Sequence, residues 1–154
     1  MRASGRLRVA NGDNWCARRL ARLLRLPDAG DAVDTRLVVE PCEGGERWLR
    51  TFGGRPLNSR QYARAGCDVA ERFGLVELRF MRDRSDGSTR YRQAGASLVA
   101  GPLRIPLPRA CAPAVVACEY RESHRLFVDV RVAVPLVGTL LTYDGTIDVD
   151  ESST

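Results

Sequence analysis

The sequence predicts a mainly β protein: an antiparallel, eight-stranded β-barrel, lipocalin-like or cyclase-like, with one N-terminal helix. Three observations carry this expectation. Residues 125–134 alternate with period two, Leu126, Val128, Val130, Val132 and Val134 on one side and Arg125, Phe127, Asp129, Arg131 and Ala133 on the other, which is the pattern of a strand with two unlike faces. Pro135 and Gly138 mark a tight turn into a second run over 139–149, so the two form an antiparallel hairpin. From Asp34 onward, short strand-like runs follow one another through turns without strand–helix alternation, hence an antiparallel sheet. Closing a sheet of this size into a barrel removes its exposed edges, and eight strands leave an interior filled by side chains or able to hold one small ligand.

Taken in order, Leu7 and Val9 suit a short first strand. Asp13 is a reasonable N-cap for a helix over 14–26 that must stop near Pro27, because the residue before proline avoids helical backbone angles. Cys16, Leu20, Leu23 and Leu24 share one stripe of that helix and Arg18, Arg22 and Arg25 the other. This reads as a helix flanking the sheet, against the alternative of a membrane- or partner-binding helix. Strands are expected at 37–40 and 46–52 around Gly44-Gly45, and at 55–65. A long strand over 67–82 is expected to be broken by a bulge at Gly74, where the apolar phase shifts. Asp86-Gly87 marks a further hairpin into 89–99. Four prolines make 101–113 a stiff, lid-like connection before the strand at 114–121.

The 154 residues suit one domain, with a helix-containing segment at 1–33 and an acidic tail at 150–154. No apolar run approaches the ~20 residues of a membrane span, and the N-terminus lacks a secretion signal, so the expected compartment is the cytoplasm. All 24 basic side chains are Arg, a skew better explained by coding bias than by two dozen separate needs for a guanidinium. The net charge of +5 is concentrated at the start, with seven Arg against one Asp in residues 1–25. No nucleic-acid partner is expected, since no RNA-binding strand or helix-turn-helix spacing accompanies that charge. The five cysteines show no C-x-x-C pair and read as reduced thiols.

A single histidine, His124, falls on a predicted turn, so His-based triads and the usual zinc or iron ligand sets are not expected. No phosphate loop or dinucleotide fingerprint is present, and neither cofactor nor metal is expected. What remains is polar groups on apolar strand faces. Alternation puts Glu71 with Cys67, Val69 and Phe73, and Arg50 with Trp48 and Phe52. If those faces point inward, both charges need partners: either they pair with each other or with Gln61 as structure, or one meets a ligand as acid/base or anion binder. Glu71 and Arg50 are the candidate catalytic groups. Trp48, Gln61, Phe73 and Tyr143 are candidate ligand contacts, joined by Phe127, Asp129 and Arg131 if the mixed face of 125–134 lines the interior. Glu119, facing away from Val116, Cys118 and Tyr120, reads as a solvated charge.

The ordered motifs Trp48-Leu49-Arg50-Thr51-Phe52-Gly53-Gly54, Ser59-Arg60-Gln61, Glu71-Arg72-Phe73-Gly74, Pro106-Leu107-Pro108, Phe127-Val128-Asp129-Val130, Pro135-Leu136-Val137-Gly138 and Tyr143-Asp144-Gly145 resemble the bacterial domain-of-unknown-function family four-one-six-six. The helix region Arg19-Leu20-Ala21-Arg22-Leu23-Leu24 and Leu26-Pro27 is similar too. Members of that family occur alone or fused behind saccharopine-dehydrogenase-like proteins. Against that pattern, neither the leading segment that members usually carry before the first strand nor a fused dehydrogenase partner is expected for this sequence. The resemblance implies domain boundaries but no reaction. The expected function is a cavity for a lipophilic small molecule, either a cofactor-independent cyclase or isomerase of polyketide-like natural-product biosynthesis, or a non-catalytic carrier or accessory protein to a dehydrogenase. A homodimer is compatible with it.

Overall fold

A computed structural model describes residues 1–150, so the tail expected at 150–154 lies outside the described residues beyond Asp150. The elements run β1 (Arg2–Asn11), α1 (Trp15–Leu23), β2 (Gly30–Cys42), β3 (Gly45–Phe52), β4 (Arg55–Pro56), β5 (Ser59–Arg64), β6 (Cys67–Phe73), β7 (Val76–Ser85), β8 (Ser88–Ala100), β9 (Leu103–Pro106), β10 (Ala114–Glu122), β11 (Arg125–Val134) and β12 (Gly138–Val149). All pairings are antiparallel, and β10 bonds to β8 as well as to β11. The sheet therefore closes, and it does so with ten strands rather than eight, in the order β10-β11-β12-β1-β2-β3-β5-β6-β7-β8. β4 and β9 stay outside the cylinder, one paired to β3 and the other to β8.

Two features account for the miscount. The apolar phase shift at Gly74 marks a chain reversal: Gly74 takes a left-handed φ of 56°, and Phe73 pairs with Val76 across a two-residue turn. A strand that folds back exchanges its phase as a bulge does, so alternation alone does not separate the two. β1 is also far longer than Leu7–Val9 suggests, because its outward positions are polar (Arg2, Ser4, Arg6, Arg8) while Ala3, Leu7 and Val9 are buried. Between them, Gly5 lets β12 pass close, since a Cβ there would lie 2.8 Å from the Thr146 carbonyl oxygen.

In α1 the N-cap is Asn14 rather than Asp13, its side-chain oxygen accepting from the Ala17 N–H at 2.8 Å. The helix ends at Leu23 and packs through Ala17 and Ala21, while Cys16, Leu23 and Leu24 of the expected apolar stripe are exposed. Alanines face the barrel because they let the helix approach closely. The segment at 101–113 contains β9 and buries Ala112, which ties it to the barrel.

The inner wall carries two buried apolar clusters. One holds Leu7, Leu37, Phe52, Leu141 and Ile147; the other holds Val69, Leu78, Phe80 and Ala96. Each buried Val, Leu, Ile or Phe side chain among them stabilises the fold by about 1.5–3 kcal/mol. They do not meet completely, and the gap between them is the interior cavity. No helix among the described residues is long and apolar enough to cross a membrane.

Candidate functional site

The cavity has a volume of about 460 Å³ and is walled mainly by aliphatic and aromatic groups from both clusters. One sector is polar. Arg50 on β3 and Glu71 on β6 project into it and pair at 3.0 Å, with side chains only 12% and 11% exposed. Ser59 on β5 lies between them: the Arg50 guanidinium donates to its Oγ at 2.8 Å, and its hydroxyl donates to Glu71 Oε1 at 2.5 Å. Arg50 and Ser59 both address Oε1, so the second carboxylate oxygen stands outside these two contacts. Burial acts to lower the Arg50 pKa, but the Glu71 charge opposes it and the net effect holds the guanidinium above its ordinary range. Trp48 stacks on Arg50 at 4.9 Å from the ring centre.

Opposite this triad, the Tyr91 hydroxyl on β8 donates to Glu119 on β10 at 3.1 Å, and both residues line the cavity. Burial raises the Glu119 carboxyl above its usual value despite the Tyr91 hydrogen bond and the Arg50 charge, which favours the protonated acid. Burial, followed by the Glu119 charge, raises the Tyr91 phenol. Tyr143 on β12 also faces the cavity, tilted against Phe52 at 5.1 Å, and burial pushes its phenol up to about 12. The sector thus holds a fixed cation, a carboxylate tied to it, a second carboxyl that resists ionisation and two neutral phenols. Groups of these types are chemically able to hydrogen-bond a polar group on an otherwise apolar molecule and to exchange a proton with it.

Of the residues singled out from the sequence, Arg50, Gln61, Glu71, Phe73 and Tyr143 line this cavity together. Trp48 lies toward the other end of the barrel, beside Met1, Thr89 and Val149. Phe127, Asp129 and Arg131 are not brought to the interior. The aliphatic positions Val130, Val132 and Val134 face it instead, leaving Phe127 against Tyr120, Asp129 exposed, and Arg131 bonded to Thr139. The aliphatic face is the inner one because the outside of β11 meets solvent rather than a covering helix.

Glu119 corrects the reading in the other direction. Val116 on the supposed core face is 61% exposed, and Glu119 with Val115 and Ala117 points inward. Both faces of β10 are of similar polarity, so hydropathy does not choose between them. Tyr91 gives no signal for a related reason: around it, from Ser88 to Gln93, β8 is polar on both faces. Both would have been found by pairing β10 with β8, which sets Ala117 opposite Tyr91.

The Domain of unknown function (DUF4166) matches residues 1–147 of the sequence. The chain belongs to this family. No curated protein matches it. The DUF4166 barrel superimposes on the crystal structure of a protein of unknown function from the DUF3598 family of Nostoc punctiforme, with a TM-score of 0.53 at 12% identity. That likeness covers 97% of this chain and 46% of the other, so the DUF4166 domain spans about half the length of that protein. At such identity the shared property is the closed barrel.

Proposed function

We propose that the barrel takes up a lipophilic small molecule carrying one carbonyl or hydroxyl group, and that it isomerises or cyclises this molecule by proton transfer without a cofactor. A flexible, polyketide-like compound has the required mix of apolar bulk and enolisable carbonyl. The reading rests on one observation: an apolar cavity of about 460 Å³ whose polar groups converge on a single sector. Such a volume suits one small molecule.

In this reading Glu119 is the proton donor, since burial favours its neutral form and Tyr91 orients it. The unengaged oxygen of Glu71 accepts a proton from the carbon next to the carbonyl, while Arg50 and Tyr143 steady the enolate oxygen that develops. The proton returned to another carbon comes from Glu119, and the proton on Glu71 resets the pair through water, so atoms balance over the cycle. Shape and dehydration supply the rest.

The test uses 1-anilinonaphthalene-8-sulfonate as a cavity probe. Ala117→Trp, which fills the lumen, should abolish the probe's fluorescence gain while leaving the fold intact; an unchanged gain places the probe elsewhere and defeats the reading. With an enolisable ketone in deuterium oxide, the wild type should exchange α-hydrogens, and Glu71→Gln, which lacks the accepting carboxylate, should lose that exchange. Binding with no exchange in the wild type favours the second reading, a carrier. That alternative draws on the Arg50–Ser59–Glu71 contacts, which would serve equally as a structural clamp.

A further inference from the structure

Strands joined directly in sequence turn at one end of the barrel or the other, and the side chains at the two ends differ. The turns at 43–44, 86–87 and 123–124 carry Glu43-Gly44, Asp86-Gly87 and Ser123-His124. At the opposite end, the turns after β6 and β11 carry Leu75 and Leu136, exposed at 60% and 105%, β9 begins there with Leu103 at 58%, and α1 with its C-cap adds Trp15, Leu23 and Leu24 at 69%, 78% and 54%. Single exposed apolar residues are ordinary, but their concentration on one rim is not.

The helix sets its face outward. Ala17 and Ala21 are buried, so Trp15, Arg19 and Leu23, four residues apart, share the ridge turned away from the barrel. Arg18, Arg22 and Arg25 stand beside them, against Asp13 alone in the same stretch, and all are exposed. Leu136 is bound into this surface, because the Asn14 amide donates to the Val137 carbonyl at 2.7 Å. It also holds a φ of 65°, a left-handed conformation that leucine rarely adopts. Leu24 and Leu26, just beyond the helix, form part of the cavity wall.

From this rim we infer that the helical end of the barrel docks on an anionic lipid bilayer. Trp15, Leu23 and Leu136 enter the headgroup layer, and Arg18, Arg19, Arg22 and Arg25 lie against lipid phosphates. An amphipathic helix with Trp and Leu beside Arg has the composition for lying in that interface, and its binding combines apolar area with charge attraction. The orientation turns the cavity's Leu24–Leu26 wall toward the acyl chains, where a lipophilic ligand resides. Docking goes beyond the function proposed above and does not require it: vesicle binding is read without any cavity ligand.

The full chain is mixed with vesicles of phosphatidylcholine alone or with one-third phosphatidylglycerol and sedimented at low and high salt. Co-sedimentation is expected with the anionic vesicles only, falling as salt rises, and dropping by about tenfold or more in Trp15→Ser/Leu23→Ser/Leu136→Ser. These side chains are exposed, so circular dichroism should be unchanged. In Trp48→Phe, the remaining Trp15 emission should shift to the blue on adding anionic vesicles. Three results would overturn docking: no sedimentation with anionic vesicles at low salt, undiminished binding by the triple variant, or a blue shift that follows protein concentration without vesicles, which would assign the rim to a second copy of the chain.

Discussion

Two buried glutamates on one hairpin, Glu71 of β6 and Glu77 of β7, face opposite sides of the same wall. Glu77 points outward yet is 0% exposed, because the Tyr62 hydroxyl and the Arg64 and Arg104 guanidinium groups all converge on its carboxylate, the last from β9. Glu71 points inward, beside a cavity, and its two contacts share one oxygen. Burial and an arginine partner are common to both. What separates a structural ion cluster from a candidate site is space: Glu77 is closed over on every side, whereas Glu71 borders room for another molecule.

The largest effect that tests this contrast is on stability. Glu77→Ala strands two guanidinium groups and a phenol, and should cost about 3–5 kcal/mol in denaturant unfolding while leaving probe binding to the folded protein unchanged. A cost below about 1 kcal/mol would remove its structural role. Glu71→Gln keeps the shape but removes the charge facing Arg50, and should cost about 1–3 kcal/mol. Unlike the first variant it should also alter binding of a carbonyl ligand; indifference there would make the two glutamates equivalent.

Protonation sharpens the comparison within the cavity. Burial raises the Glu119 pKa above the ordinary carboxyl value of 4.5. As pH rises past that value the unfolded chain releases this proton first, so the folded state loses stability until its own carboxyl ionises. Glu119→Gln should therefore be more stable relative to wild type at neutral pH than at pH 4, and a constant difference would contradict the buried placement. Tyr143 follows the same sign at the alkaline end: with its pKa raised from 10.0 to about 12, stability is lost as pH climbs through that window. Tyr143→Phe should lose less stability there and lack one late-titrating phenol in ultraviolet absorbance. The smallest effect belongs to the surface: Asp34→Asn, which breaks an exposed pair with Arg6 at 3.2 Å, should cost at most about 1 kcal/mol.

Much of the fold was legible because inner and outer strand faces differ in polarity. The alternation along β11 and β12 specifies their hairpin, and the pairing of Val132 with Leu141 and of Leu126 with Ile147 bears it out. Arg50 and Glu71 stood out as charges on apolar faces, and the same alternation placed them on the inner wall. Glu119 and Tyr91 did not stand out, because a strand with two similar faces carries no orientation signal. Glu77 was hidden for another reason: its outer position should be wet, and it is buried by Tyr62 and Arg64 of β5 together with Arg104 of β9 folding back.

By itself, then, the sequence determined an antiparallel, mainly β chain with one short helix, the main hairpins, and a charge on the apolar face of each of two strands, since these follow from local periodicity, turn residues and the cost of burying a lone charge. Tertiary structure alone decided the ten-strand closure through β8 and β10, the inward turn of Glu119, the burial of Glu77 and the apolar rim around α1. Each of these depends on which distant segments become neighbours, and local backbone preferences carry no record of that.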